Sequence, residues 1–235
     1  MIKTEAKEID DTLIKIINNL SNKDQIIILN LSSQIKNFID SHQPYIHRNI
    51  FQRFENNPKI RLINVDLQES LGVDITMDHT QQTGYDQLRD YCPDIILISN
   101  LLEHVESVDS VISNLAKHLN NYYHIVCSGP GFFPYHADPI DNLFRPSKKE
   151  LKNIFAKFGF IQIEHTYKYS FNLFFSTKNN KQALLDNLYS IKILIRSPKI
   201  LVDRNFMKRF LPIIVFVAVF KHNFKLQNEN LDYER

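Results

Sequence analysis

Two histidines of this sequence stand where they could accept a proton during catalysis. An imidazole, whose ordinary pKa is about 6.5, can take a hydroxyl proton at neutral pH and so serve as a general base. His136 lies in a stretch rich in proline and glycine, with Asp138 and Asp141 nearby to orient its ring, and His104 follows an apolar run. Both are candidate general bases, and the alternative for each is a structural or merely exposed histidine.

Acidic residues end two of the apolar segments. The segments Ile60–Asp66 and Val73–Asp78 are both typical of β-strands, and each finishes on an aspartate. An ionised carboxylate has only acceptor oxygens, so it suits a ligand that carries hydroxyl or N–H groups. The alternative is a solvated aspartate at a strand end or in an ordinary turn.

Alternating strands and helices must position these side chains. Strands are predicted at 26–31, 60–66, 73–78, 94–99, 124–127, 160–164 and 213–220, and helices at 9–20, 33–54 with an interruption at Pro44, 108–119, 147–158 and 181–196. Parallel neighbours in a sheet need a crossover, which a helix supplies. The alternation therefore predicts an α/β fold with a Rossmann-like, seven-stranded, mostly parallel sheet sandwiched by helices.

Such sheets bind ligands outside the carboxyl ends of their strands, where the strand order reverses. Functional residues are therefore expected at 30–33, 66, 78, 99–104 and 128–145.

Local signals mark the element ends in the second half of the chain. Ser128–Gly131 is expected to stop the fifth strand, because it contains two glycines and a proline. Ser147 and Glu150 form a capping box at the start of a helix, and Gly159 stands at the position that follows its end.

The composition is that of an ordinary globular domain, with 43% hydrophobic residues, 23% charged residues and a net charge of +2. Scattered Lys and Arg residues give no support for a nucleic-acid partner. Cys92 and Cys127 lie far apart and outside any Cys/His cluster, which argues against a disulfide scaffold or a zinc site and favours a reducing, cytoplasmic compartment. The polar start, Met1–Asp11, does not resemble a signal peptide, and the apolar run Leu211–Phe220 is too short to span a membrane.

Glycine is scarce, with only five residues in the chain. Neither Gly-x-Gly-x-x-Gly nor Gly-x-x-x-x-Gly-Lys-Ser/Thr occurs, which argues against dinucleotide dehydrogenases and P-loop enzymes. The Gly-x-Ser-x-Gly elbow of many hydrolases is also missing.

Three stretches, in this order and at workable spacing, carry a family resemblance. Val73–His79 is similar to a third strand with its following acid, and Pro93–Val105 to a fourth strand with a hydrophobic-Leu-Glu-His continuation. The stretch from Ser128 to Phe160 is similar to a fifth strand, a His-x-x-Pro-x-Asp segment and a helix ending in Gly-Phe. Together they resemble the class I S-adenosylmethionine-dependent methyltransferases, in particular small bacterial ones often found with polysaccharide or lipid biosynthesis.

The resemblance implies a single methyltransferase-like domain over 1–235, with an N-terminal helix at 1–22 and a recognisable core at 25–165. Residues 166–222 would complete the sheet with an antiparallel seventh strand, and 223–235 would form a frayed tail. The implied cofactor is S-adenosylmethionine, and no metal is needed.

The resemblance also assigns roles to single positions. Asp66 would accept hydrogen bonds from two ribose hydroxyls, and Asp78 would contact the adenine amine. Arg145 would pair with a carboxylate or phosphate of the substrate, or would instead tie its loop to Asp141. The implied site residues are Asn30, Ser32, Asp66, Asp78, Asn100 and Leu101 for the cofactor, Asp141 and Arg145 for the substrate, and His136 and His104 for catalysis.

One departure from the family concerns the turn after the first strand. The family has an acid followed by Gly-x-Gly-x-Gly, whereas here Asn30 is followed by Ser32, Gln34 and Lys36 at the glycine positions. A side chain in a left-handed turn costs on the order of 1 kcal/mol and occupies space that a cofactor would fill.

Two functional hypotheses follow. The first is an S-adenosylmethionine-dependent methyltransferase that O-methylates a small-molecule or sugar-linked metabolite. The alternative is a methyltransferase-like domain that has lost cofactor binding and serves as a partner or scaffold subunit. A nucleotide-sugar or dinucleotide enzyme is disfavoured by the missing glycine fingerprint, and association into a homo-oligomer is left open by the sequence.

Overall fold

A seven-stranded sheet forms the centre of the computed structural model, which describes residues 1–31, 44–119, 123–133, 135, 140–170 and 213–222. The strands are β1 (Ile26–Asn30), β2 (Ile60–Asp66), β3 (Ile75–Thr76), β4 (Ile95–Ser99), β5 (His124–Phe132), β6 (Phe160–Ser170) and β7 (Ile213–His222). The helices are α1 (Lys3–Asn19), α2 (Pro44–Glu55), α3 (Tyr85–Arg89), α4 (Val108–His118) and α5 (Lys148–Ala156), and a 3₁₀ turn spans Leu102–His104. Within α2, the segments Pro44–Ile46 and Gln52–Glu55 are α-helical and His47–Phe51 between them is π-helical.

The strands lie in the order β3-β2-β1-β4-β5-β7-β6. Neighbours among β1 to β5 pair in parallel, and β7 runs antiparallel to both of its neighbours, β5 and β6. The predicted α/β class, the seven-stranded sheet and the antiparallel seventh strand are confirmed. Because the order reverses between β1 and β4, a ligand crevice is expected outside the carboxyl ends of these two strands.

Helices cover both faces of the sheet, because its central strands are apolar on both sides. Every residue of β4 is buried. On one face, α1 and α2 pack through residues such as Ile9, Leu13 and Ile50. On the other face, α3, α4 and α5 pack in a second core that includes Leu115 and Phe155.

Two strands extend beyond their predicted ends because they pair with β7. The prediction that Ser128–Gly131 stops β5 is wrong, since the strand continues to Phe132 with a bulge after Pro130. In this stretch β5 has passed the end of β4 and keeps β7 as its partner, so a proline without an N–H is tolerated. For the same reason β6 continues to Ser170 instead of ending at residue 164.

The strand β3 is shorter than predicted. It contains only Ile75 and Thr76, because just before them the side chain of Asp74, and not its backbone, accepts a hydrogen bond from the neighbouring strand β2. Asp74 Oδ2 accepts the N–H of Asn64 at 2.7 Å, so a side-chain oxygen takes the place of a backbone acceptor there.

The helices predicted at 9–20, 108–119 and 147–158 are confirmed, and α1 begins earlier than predicted, at Lys3. α2 confirms the second half of the helix predicted at 33–54, while α3 has no predicted counterpart. The first part of that helix, the helix predicted at 181–196 and the tail at 223–235 lie outside the described residues. Within the described ranges, no helix is long and apolar enough to cross a membrane.

The start of α5 is stabilised by the predicted capping box. Ser147 Oγ accepts the N–H of Glu150 at 3.3 Å, and Glu150 Oε2 accepts the N–H of Ser147 at 2.8 Å. We expect Ser147→Ala to lower the free energy of unfolding by about 1 kcal/mol, because it leaves a helix N–H without its acceptor. Urea denaturation followed by circular dichroism measures the loss. Ser147→Asp restores an acceptor and should recover most of it, and an alanine variant as stable as the parent would contradict the expectation.

Candidate active site

The carboxyl ends of β1, β2 and β4 lie side by side at the edge where the strand order reverses, next to the middle of β5. Asn30 and Asp66 are the last residues of β1 and β2, Asn100 directly follows β4, and Ser128 is the residue of β5 opposite the end of β4. The structure thus brings three of the predicted cofactor residues to one edge of the sheet.

Asn30 and Asp66 lie on adjacent strands at this edge. Asn30 is buried and donates from Nδ2 to Asn64 Oδ1 at 3.0 Å, so its amide is used in a contact between β1 and β2. Asp66 is half-buried, and its Oδ1 accepts the N–H of Gln68 at 3.1 Å. Burial raises the pKa of the Asp66 carboxyl above its ordinary value, with backbone hydrogen bonds opposing the change.

Asp78 forms a turn. Its exposed carboxylate accepts the N–H of Thr80 at 2.8 Å and the hydroxyl of Thr80 at 2.7 Å. These hydrogen bonds lower the pKa of Asp78, because they stabilise its ionised form. The geometry matches the alternative of ordinary turn chemistry, and the adenine contact stays a prediction.

Asn100 adopts a left-handed backbone conformation with φ of 50°, which asparagine tolerates better than most residues. Its N–H donates to Ser128 O at 3.0 Å, and its Nδ2 donates to Glu5 Oε1 at 2.7 Å. Leu101 turns into the hydrophobic core and is 9% exposed. The Asn100 side chain therefore connects the end of β4 to α1, whereas Leu101 packs against the core.

Glu5, in the first turn of α1, was missed by the sequence-based prediction. Its Oε1 also accepts the hydroxyl of Ser128 at 2.9 Å, and the side chain is fully buried. A signal was present, since Glu5 stands one helical turn before Ile9 and two before Leu13 on the apolar face of the helix. A carboxylate on such a face needs polar partners elsewhere in the fold.

Glu103 is a second carboxyl group that the prediction did not assign to the site. It lies in the 3₁₀ turn after β4, is 1% exposed, and has no hydrogen-bond partner for Oε2 among the described residues. Burial raises the pKa of Glu103 to about 8, and Glu5 adds to the increase while Arg145 opposes it.

The segment 140–145 is held against this turn. Asn142 donates its N–H to Glu103 O at 2.9 Å and its Nδ2 to Leu102 O at 2.8 Å and Val105 O at 2.7 Å. His104 Nδ1 bonds to Ile140 O, which assigns the ring proton to Nδ1, and His104 Nε2 lies 4.0 Å from Glu103 Oε1. These contacts fix His104 beside the carboxyl end of β4.

Arg145 joins Asp141 in a buried ion pair. Arg145 Nη2 lies 2.8 Å from Asp141 Oδ2, and Arg145 also donates to Phe144 O at 3.2 Å and to Phe133 O at 3.4 Å. Asp141 further accepts the N–H of Leu143 at 2.9 Å. The alternative that Arg145 ties its loop to Asp141 describes this geometry, and substrate binding by the pair stays a prediction.

A cleft of about 320 Å³ opens beside Arg145 on the face of the sheet formed by β5, β7 and β6. Its lining consists of Gly131, Arg145, Pro146, Ser147, Glu150, Tyr167, Tyr169 and Ile214. A Cβ on Gly131 would stand 3.4 Å from the Tyr167 ring and 3.6 Å from Ile214, so these two residues pack closely against the glycine. The Tyr169 side chain is 56% exposed, which leaves an aromatic surface available to a ligand.

Several predicted site residues lie outside the described residues. These are Ser32, together with the neighbouring Gln34 and Lys36, and His136 with Asp138. In the described part of the chain, no group of three metal-ligating side chains lies together.

No protein-family model and no curated protein matches the sequence. Solved structures do match the fold. The CurJ carbon methyltransferase superposes with a TM-score of 0.52 at 11% identity, over 92% of this chain and 54% of that one, so this chain spans about half of its length. A SAM-dependent methyltransferase from Archaeoglobus fulgidus superposes with a TM-score of 0.46 at 15% identity, over 92% of this chain and 94% of that one. With the strand order, the CurJ likeness shows that the fold is that of the class I S-adenosylmethionine-dependent methyltransferases.

Proposed function

We propose that this protein is an S-adenosylmethionine-dependent methyltransferase that methylates a hydroxyl group of a small-molecule or sugar-linked acceptor. The observation that carries the proposal is the strand reversal between β1 and β4, with an acid, Asp66, at the end of the adjacent β2. We further propose a cytoplasmic role in polysaccharide biosynthesis. The two cysteines of the protein, Cys92 and Cys127, are unpaired, which supports a reducing compartment.

Among the described residues, Asp66 supports the proposed cofactor site. Asp66 presents carboxylate oxygens at the sheet edge, where two ribose hydroxyls would donate to them. Asp78, Asn30 and Ser32 complete the proposed cofactor site, and Asn100 with Leu101 would lie beneath the sulfur. When bound, S-adenosylmethionine would supply an electrophilic methyl group on a positively charged sulfur.

The cleft beside Arg145 is the proposed acceptor site. Its volume suits a single sugar or aromatic ring, Tyr167 and Tyr169 offer apolar ring faces, and Arg145 and Glu150 supply polar atoms. The main contribution of these cleft residues would be to align the acceptor oxygen with the methyl group of the cofactor. His136 or His104 would accept the hydroxyl proton as the new bond forms.

A second candidate function rests on the sequence after β1. Ser32, Gln34 and Lys36 replace the three glycines of the family's cofactor turn. Such a turn favours a methyltransferase-like partner or scaffold subunit that no longer binds the cofactor.

Calorimetric titration with S-adenosylmethionine and S-adenosylhomocysteine separates the two candidates. The enzyme binds both ligands and then transfers labelled methyl groups to one or more members of a panel of hydroxylated small molecules and sugars. A folded protein that gives no heat with either ligand at about millimolar concentration, well above ordinary affinities, is the scaffold. A protein that binds the cofactor but methylates an amine or carbon instead would keep the class and overturn the hydroxyl acceptor.

A further inference from the structure

The strand β6 forms one edge of the sheet. It is the last strand in the sheet order, and it pairs with β7 along its whole length, from Phe160 to Ser170. Within the described ranges, no strand pairs with its outer side. An edge of this length presents backbone N–H and C=O groups that a further strand can bind.

Apolar side chains are exposed along this edge strand. Ile161, Ile163 and Tyr169 each expose about half of their surface, and all three belong to the eleven residues of β6. Proteins usually protect a long edge strand with charges, prolines or bulges, because it can otherwise pair with another chain. The exposed residues of β6 therefore indicate a surface that can associate.

The charged residues of β6 lie on one face of the sheet. After its bulge, the strand is regular up to Ser170. Glu164 and Lys168 both project to the side of α1, where Glu164 pairs with Lys15 and Lys168 Nζ lies 2.6 Å from Glu8 Oε2. No other residue of β6 is an acid, a lysine or an arginine.

Aromatic residues occupy the other face of the same segment. The rings of His165 and Tyr167 meet edge to face with a centroid distance of 4.6 Å. Tyr167 and Tyr169 also line the cleft beside Arg145, so the outer side of β6 borders the cleft.

Symmetry limits how β6 can pair with a second copy of itself. Opposite residues of an antiparallel pair lie on the same face of the sheet, so a two-fold axis must pass beside one residue, which then faces its own copy. Only an axis at Thr166, midway between Glu164 and Lys168, sets the two charged residues opposite each other. The same register sets Thr166 opposite Thr166 and His165 opposite Tyr167. Opposite charges, paired threonines and paired aromatic rings are all stabilising cross-strand pairs.

We propose that β6 pairs in antiparallel orientation with β6 of a second copy of this chain, about a two-fold axis at Thr166, so that the two seven-stranded sheets join into one. The contact between Glu164 and the partner's Lys168 occurs twice in this dimer. It extends the ion pairs with Lys15 and Glu8 into a row of alternating charges across the interface. On the other face, the partner's His165 lies beside Tyr167, so the second copy contributes a residue to the outer wall of the cleft.

Sedimentation velocity at protein concentrations of about 1–100 µM measures the association. We expect the wild-type protein to change from monomer to dimer within this range, because a strand edge is a small interface. Glu164→Lys and Lys168→Glu each set like charges opposite each other at two points of the dimer. Each variant should therefore raise the dissociation constant by about tenfold or more. Circular dichroism checks that both variants are folded, as expected for changes to ion pairs at the surface.

An equimolar mixture of the two variants tests the register directly. In the mixed dimer, the lysine introduced at position 164 of one copy faces the glutamate introduced at position 168 of the other. Lys168 of the first copy faces Glu164 of the second, so both contacts again join opposite charges. The mixture should therefore associate about as tightly as the wild-type protein, although each variant alone does not.

Lys157→Glu is the matched control, because Lys157 pairs with Asp109 at the surface after α5 and its reversal changes the net charge as Lys168→Glu does. This variant should dimerise like the wild type. A wild-type protein that stays monomeric at about 100 µM overturns the proposal and indicates that another part of this chain, or a different partner, covers the edge. A dimer that neither variant weakens, or two variants that fail to associate when mixed, overturns it as well.

Discussion

Replacing Phe155 by alanine is expected to lower the free energy of unfolding by about 3–5 kcal/mol, the largest loss that we predict for a single side chain. Phe155 is fully buried at the centre of the core between α5 and the sheet. Its ring stacks on Phe220 with a centroid distance of 3.8 Å and meets the edge of Phe160 at 5.8 Å. Alanine would remove both aromatic contacts and leave a cavity between two elements that cannot collapse onto each other.

Urea denaturation followed by far-ultraviolet circular dichroism measures this loss, because the chain contains no tryptophan to report by fluorescence. Phe155→Leu is the matched control and should lose only about 1–2 kcal/mol, since it keeps most of the buried volume. An alanine variant that loses less than about 1 kcal/mol would show that this core rearranges to fill the space. The result matters for the cleft, because α5 also supplies Glu150 to its wall.

Asp66→Ala is expected to weaken the binding of S-adenosylmethionine by about 100-fold or more. Each hydrogen bond to a charged carboxylate contributes roughly 1.5–3 kcal/mol, and the variant removes the acceptor for two ribose hydroxyls. Calorimetric titration measures the change in affinity. Asp66→Asn keeps one acceptor oxygen and should bind with intermediate affinity.

The Asp66 variants should remain folded. Burial raises the pKa of Asp66 in the folded protein, so its ionised form, which dominates above that pKa, is less favourable folded than unfolded. Removing it at neutral pH therefore takes away no stabilising charge. Glu69→Gln, an exposed acid three residues later, is the control for net charge and should bind like the wild type. If Asp66→Ala binds S-adenosylmethionine within about threefold of the wild type, a factor worth under 1 kcal/mol, the proposed ribose contact is wrong.

Elements with strong local patterns could be predicted from the sequence, because their information lies in neighbouring residues. The continuous apolar run of β4, the strand from Ile60 to Asp66 and the capping box at Ser147 all appear in the structure at or near their predicted positions. The ends of β5 and β6 could not be predicted, because β7 supplies their hydrogen-bond partners from a distant part of the chain. A proline and two glycines indicate a strand end locally, and pairing across the sheet overrides that signal.

The candidate site divides in the same way. Asp66 ends a recognisable strand and Asn100 follows another, so their place at the sheet edge could be predicted from the alternation of strands and helices. The burial of Glu5 and Glu103 could not be predicted, because it depends on how α1 and the turn after β4 pack over the end of β4 and the middle of β5. The sequence left undecided whether Arg145 pairs with the substrate or with Asp141, and in the structure Arg145 pairs with Asp141.

The sequence by itself determined the class of fold, the position of most strands and which strand ends carry polar side chains. Hydrophobic runs, caps and turns act over a few residues, so their meaning does not depend on the rest of the chain. Only the tertiary structure decided which of these polar groups are buried, which are paired and which oxygen of Glu103 is left without a hydrogen-bond partner among the described residues. Desolvation and hydrogen bonding between distant segments set those properties, and they arise only when α1, the segment 140–145, the end of β4 and the middle of β5 come together.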